Sequence, residues 1–131
     1  MIVVDTNIIA YLYLENPRTA AVTRLFARDP DWQAPLLWRS EMRNVLAVQV
    51  ARRALALDQA LDIQREAEDL LAGCEYEVDS PSVLRLAVVS GCSAYDCEFV
   101  ALAEALAIRF ITADAKLVKA FPRIASALVA G

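Results

Sequence analysis

The chain has 131 residues, 58% of them apolar, with 13 Lys and Arg against 17 Asp and Glu for a net charge of −4. Its length bounds it to a single domain (residues 1–131) with one core, its charge argues against a general nucleic-acid coat protein, and its lack of any His excludes a His base, a Ser-His-Asp triad or a His-ligated zinc. No apolar run approaches a membrane span, no basic region precedes the N-terminal apolar stretch, and Cys74, Cys92 and Cys97, without a C-x-x-C pair, read as free thiols of a reducing cytoplasm.

Met1 to Val4 is a short β-branched run that reads as a buried strand ending at Asp5. A helix follows over Thr6 to Leu14, with Asp5 or Thr6 as its cap. Asn16-Pro17 stops it, and a second helix spans about Arg18 to Arg28 before Asp29-Pro30. Trp32 to Ala34 forms a small strand. A long helix begins near Leu36 and carries Glu41, with Val45, Leu46, Val48 and Val50 on its apolar side. A further helix runs from about Asp58 to Ala72 and ends at Gly73.

Tyr76 to Val78 reads as a strand, and Ser80-Pro81 opens a helix that Gly91 closes. Tyr95 to Leu106 is another helix, with Phe99, Leu102, Ala103 and Leu106 at helical spacing. Ile108 to Thr112 is a strand and Asp114 caps a short helix. The last ten residues, interrupted by Pro122, suit helix or strand equally. Strands alternating with helices imply an α/β fold with a mainly parallel sheet between helical layers.

Four acids stand out in this order: Asp5 at a strand end, Glu41 within a helix, Asp96 at a helix start and Asp114 just past another strand. Ligands of an open parallel sheet collect outside the carboxyl ends of its strands. Separations of roughly 35, 55 and 20 residues suit excursions that return to that rim. Singly, Asp5, Asp96 and Asp114 also suit helix N-caps, and Ser93-x-x-Asp96 has capping-box form. Together they imply a hard cation, since their repulsion is otherwise uncompensated. Oxygen-ligated Mg²⁺ or Mn²⁺ then points to phosphate-ester chemistry.

The motifs V-V-D-T-N-I-I-A-Y-L, R-S-E-M-R-N-V-L, A-Y-D-C-E-F-V-A-L-A-E-A-L and F-I-T-A-D-A-K-L cover nearly the whole chain. In wording and separation they resemble the four acidic motifs of PIN-domain nucleases, in particular the ribonuclease toxins of VapBC toxin–antitoxin modules. The resemblance implies a PIN-like three-layer α/β/α fold and a Mg²⁺- or Mn²⁺-dependent endoribonuclease leaving 5′-phosphate and 3′-hydroxyl ends. Its metal site would be Asp5, Glu41, Asp96 and Asp114, supported by Thr6, Asn7 and Thr112. It also implies a cognate antitoxin, and a homodimer that would cover part of the apolar surplus. Some relatives carry a further acid after the fourth motif; here the residues are Ala115-Lys116, which leaves the metal count open.

Arg39 and Arg43 flank Glu41, and Lys116 follows Asp114, as candidate phosphate contacts with RNA. Trp32, Trp38 and Tyr95 suit either base stacking or packing, packing being favoured. Asp58, Asp62 and Glu66 make an acidic ridge along one helix, a solvated face or a dock for a basic partner. A DNA-directed nuclease of the same fold and a non-catalytic PIN-like module that binds RNA or protein are the alternatives. An aspartyl-phosphate receiver or phosphatase fits less well, because Asp5 is followed by Thr6-Asn7 and not by a second acid.

Overall fold

The computed structural model describes residues 1–129. Five strands form one sheet: β1 (Ile2–Val4), β2 (Trp32–Pro35), β3 (Glu75–Tyr76), β4 (Phe110–Thr112) and β5 (Ala125–Ala127). Their order is β3-β2-β1-β4-β5, and every neighbouring pair is parallel. Seven helices connect them among the described residues: α1 (Thr6–Tyr13), α2 (Thr19–Arg28), α3 (Leu37–Ala51), α4 (Leu57–Leu70), α5 (Ser80–Ser90), α6 (Ala94–Leu106) and α7 (Ala115–Ala120).

The chain moves outward from β1 to β2 and β3, then crosses back to β4 and continues to β5. Right-handed crossovers therefore place α1 to α4 on one face and α5 to α7 on the other, giving the expected three layers. The direction reverses between β1 and β4, so a crevice opens at the carboxyl ends of those two strands. Val3 pairs with Phe110 and Val4 with Ile111. One step further, this register brings Asp5 beside Thr112.

The β1 residues are buried on both faces, as a central parallel strand requires. Phe99 of α6 stacks on Phe110 of β4 at 5.9 Å, and Phe26 of α2 meets Trp32 edge-on at 5.2 Å. Trp38, Met42 and Leu46 form the buried stripe of α3. This differs from the expected Val45, Leu46, Val48 and Val50 stripe, because α3 packs against the sheet and α4 while Val45 faces the crevice. Trp32 and Trp38 are both core residues.

Several boundaries shift for local reasons. Strand β3 is confined to Glu75–Tyr76, and Asp79, not Ser80, caps α5 by accepting the Ser82 amide at 2.9 Å. Strand β4 starts at Phe110 because Ala107 ends α6 in the left-handed conformation, φ 56°. The tail resolves into Pro122 followed by β5, which pairs with β4 over Phe110 to Thr112. Among the described residues no single helix is long and apolar enough to cross a membrane.

Candidate active site

Strand β1 ends at Asp5, which is both the N-cap of α1 and the floor of the crevice. Its Oδ1 accepts the Ile8 amide at 3.0 Å. Its Oδ2 accepts the Thr112 hydroxyl and, at 3.3 Å, the Ala113 amide. A carboxylate offers about four acceptor positions, so these three bonds fix its orientation and leave one position for the crevice. Thr112, fully buried, also accepts the Asp114 amide at 3.0 Å and thus ties the ends of β1 and β4 together.

Glu41 enters from α3. Leu37, Ser40, Glu41, Asn44 and Val45 all line the crevice, the i, i+3, i+4, i+7, i+8 pattern of one helical face. Glu41 Oε1 accepts the Thr6 hydroxyl at 2.7 Å, so residue 6 of the first motif positions the acid of the second. Asp96 lies in the first turn of α6, whose start is set by Ser93 Oγ accepting the Asp96 amide at 3.0 Å. Asp114 caps α7 by accepting the Lys116 amide at 2.9 Å. Capping and site roles therefore coincide at Asp5 and Asp114, and the positive ends of α1 and α6 moderate the gathered charge.

All four acids line one cavity of about 460 Å³, with Thr6, Asn7, Tyr95, Phe99 and Leu117. None of the lining residues is Lys or Arg. Burial pushes the Asp5 carboxyl above its ordinary value, with Asp96 adding to the rise and the Thr112, Ile8 and Ala113 hydrogen bonds opposing it. Burial likewise raises Glu41, against the pull of the Thr6 hydrogen bond, and the charges of Asp96, Asp5 and Glu98 raise it further. The acids are thus an uncompensated cluster of oxygen donors, which suits a hard divalent cation. Among the described residues no three of them already converge as a closed ligand group.

The supporting residues behave differently from one another. Thr6 and Thr112 hold Glu41 and Asp5, whereas Asn7 is exposed on the cavity rim. The candidate phosphate contacts lie outside the cavity lining. Arg39 binds Glu75 through Nε at 2.6 Å and Nη2 at 2.7 Å, and Glu68 at 3.0 Å. Trp38 Nε1 reaches the same Glu75 carboxylate at 2.7 Å. The Arg39 guanidinium therefore pins α3 to β3 and α4 instead of facing the acids.

Arg43 lines a separate apolar groove between α3 and α4, beside Leu46, Val50, Leu57 and Leu61. Lys116 is exposed and outside the cavity lining. The acidic ridge on α4 is solvated, with Asp62 paired to Arg65. Sequence reasoning missed Ser40 as a lining residue and Glu98 as a charge acting on Glu41. Ser40 lies four residues before Asn44 on the lining face of α3, whereas Glu98, two after Asp96, lies off that acid's face of α6, and nothing in the type of either singles it out.

The PIN domain family profile matches residues 2–125. Ribonuclease VapC3 of Pyrobaculum aerophilum is 27% identical over 126 residues, which are 94% of this chain and 96% of that protein. The crystal structure of PAE2754 from the same organism superposes with a TM-score of 0.71 at 22% identity, covering 97% of this chain and 90% of that one. FitAcB from Neisseria gonorrhoeae gives 0.70 at 19% identity, covering 99% and 98%. The strand order, the four acids at the β1–β4 crevice and the profile match over nearly the full length agree: the chain belongs to the PIN domain family.

Proposed function

We propose that this protein is a divalent-cation-dependent endoribonuclease, the toxin of a type II toxin–antitoxin pair, with Mg²⁺ or Mn²⁺ as cofactor and a cognate antitoxin as partner. The observation that carries this reading is the convergence of Asp5, Glu41, Asp96 and Asp114 on one cavity with no cationic side chain in its lining. Likeness to a protein named Ribonuclease VapC3 supports RNA as the substrate and the toxin role.

Asp5 and Asp96 are the principal candidates to hold the ion, with Glu41 and Asp114 completing the oxygen donors. When bound, the ion would polarise the phosphoryl group and ease attack by water, giving 5′-phosphate and 3′-hydroxyl ends. The protein's own part is positioning. Thr112 and the Ile8 and Ala113 amides orient Asp5, and Thr6 orients Glu41 through one oxygen. Glu41, itself part of the cavity lining, would serve as a proton acceptor, and burial keeps this carboxylate more basic than an ordinary one.

Exposed Leu84, Val88 and Val89 along α5 support the homodimer, and three free cysteines suit a reducing cytoplasm. The test is cleavage of total cellular RNA by the purified protein with Mg²⁺, with EDTA, and with Asp96→Asn as the contamination control. Discrete 5′-phosphorylated fragments from the wild type with metal are expected. Cleavage of single-stranded DNA in preference to RNA would replace the reading with a DNA-directed nuclease, and equal inertness of wild type and variant would end it.

A further inference from the structure

Among the large side chains of this fold, Tyr95 is conspicuous for what it does not do. It is 64% exposed, on the first turn of α6 immediately before Asp96, and it lines the same cavity as the four acids. Among the described residues it has no hydrogen-bond, ionic or ring partner. The other tyrosines are used by the fold. Tyr76 donates to Gln33 at 2.7 Å, Tyr11 lies under the Arg18 guanidinium, and Tyr13 is half-buried.

We infer that Tyr95 is the stacking platform for an unpaired nucleobase next to the scissile phosphate, and so a substrate-positioning residue of the site; this rests on the nuclease reading above. Three observations carry it. The first is adjacency: residues 95 and 96 are consecutive on a helix start that Ser93 fixes, so the backbone places the tyrosine and a candidate ion-holding carboxylate side by side at one cavity. The second is the absence of Lys and Arg from the cavity lining, together with the engagement of Arg39 elsewhere. Within the cavity, then, affinity for the base side of a nucleotide falls to carbon surface. The third is that such surface is present, since Leu37, Val45 and Phe99 line the cavity with Tyr95.

A base inside a duplex has its faces covered by its neighbours, so a stacking platform selects nucleotides that are unpaired or splayed out. Stacking tolerates any base because every base has a π-face. Tyr95 thus sets the conformation of the cleaved nucleotide and leaves its identity to other contacts.

The test compares Tyr95→Phe, Tyr95→Leu and Tyr95→Ala in the full chain, with two readouts. Binding of a short unstructured ribo-oligonucleotide carrying 2-aminopurine is followed by quenching of its fluorescence, and cleavage of unlabelled RNA gives KM and kcat. Stacking predicts that Phe behaves as wild type. Leu and Ala should weaken binding roughly 5- to 150-fold and lose the quenching, with the cleavage defect falling on KM more than on kcat. Wild-type affinity and quenching in Leu and Ala, with cleavage intact, would overturn the inference and leave the nuclease reading standing. Tyr95-dependent quenching by a protein that cleaves nothing would keep the platform and remove the nuclease. Loss of both binding and cleavage in the wild type would end both.

Discussion

The Thr112 hydroxyl donates to Asp5 Oδ2 across 107 residues of sequence, joining the carboxyl ends of β1 and β4 at the point where the sheet reverses direction. Because the same oxygen accepts the Asp114 amide, one buried hydroxyl orients two of the four acids. Thr112→Val keeps the shape, removes both bonds and leaves the Asp114 amide without that acceptor. We expect a loss of about 1–3 kcal/mol in urea unfolding and a fall of roughly 10- to 100-fold in cleavage, with Thr112→Ser near wild type in both. A Val variant as active and stable as the parent would show that the bond is incidental.

Glu41 gives a prediction of opposite sign for stability and function. Its carboxyl is raised above its ordinary value of 4.5, chiefly by burial. The fold therefore favours the protonated form. That contribution is complete below the unfolded value and disappears as pH rises through the raised one, so ionised Glu41 weakens the metal-free fold at neutral pH. Glu41→Gln retains an acceptor for Thr6 and removes the charge. In EDTA at neutral pH the variant should unfold at a slightly higher urea concentration than wild type, the gain vanishing in acid, while cleavage is lost. Equal or lower metal-free stability of the variant at neutral pH would contradict this.

Metal binding should be visible without any substrate. Mg²⁺ at 100 times its dissociation constant stabilises a folded chain by about 2.7 kcal/mol, a rise of about 10 °C in Tm for a domain of this size. Asp5 and Glu41 must ionise to hold the ion, and both are shifted upward from 3.8 and 4.5. The Mg²⁺-induced rise should therefore begin to shrink while pH is still above those ordinary values. Differential scanning fluorimetry across pH, with Asp96→Asn alongside, measures it; an unchanged Tm with Mg²⁺ at every pH would remove the ion from this site.

The Arg39–Glu75 pair makes a complementary prediction away from the cavity. Glu75 lies below its ordinary value of 4.5, first because of the Arg39 hydrogen bond, with Trp38 and the Arg39 charge adding to the effect. Its contribution is present above the unfolded value and is lost as pH falls through the lowered one. Glu75→Gln should cost about 2 kcal/mol at neutral pH and markedly less in strong acid. Arg39→Ala should likewise lower stability while leaving the KM for RNA near wild type. A selective rise in KM from Arg39→Ala would restore this arginine as a substrate contact.

Three of the acids were legible because each announces itself locally, whereas Glu41 lies mid-helix and stood out only in company with them. A β-branched run stops at Asp5, Ser93 opens the helix of Asp96, and a second β-branched run precedes Asp114. Arg39 and Arg43 stand two residues either side of Glu41 and so lie off its face of α3, which places them outside the cavity lining. Strand β3 was harder, since two residues carry little periodicity and its place depends on Gln33, Trp38 and Arg39, more than thirty-five residues upstream. Strand β5 has only Ala125, Ser126 and Ala127 to declare itself, and its identity comes from pairing with β4.

Asp5 and Asp114 serve as helix caps as well as cavity acids, and a cap has no need of charge. Asn and Ser terminate a helix about as well as Asp does. Folding therefore places little demand on the charges that the proposed chemistry would need. If the proposed chemistry holds, a single substitution at either position would silence the protein and leave its architecture standing, so inert descendants of such a chain should persist as well-folded proteins, recognisable by their caps and missing only their acids.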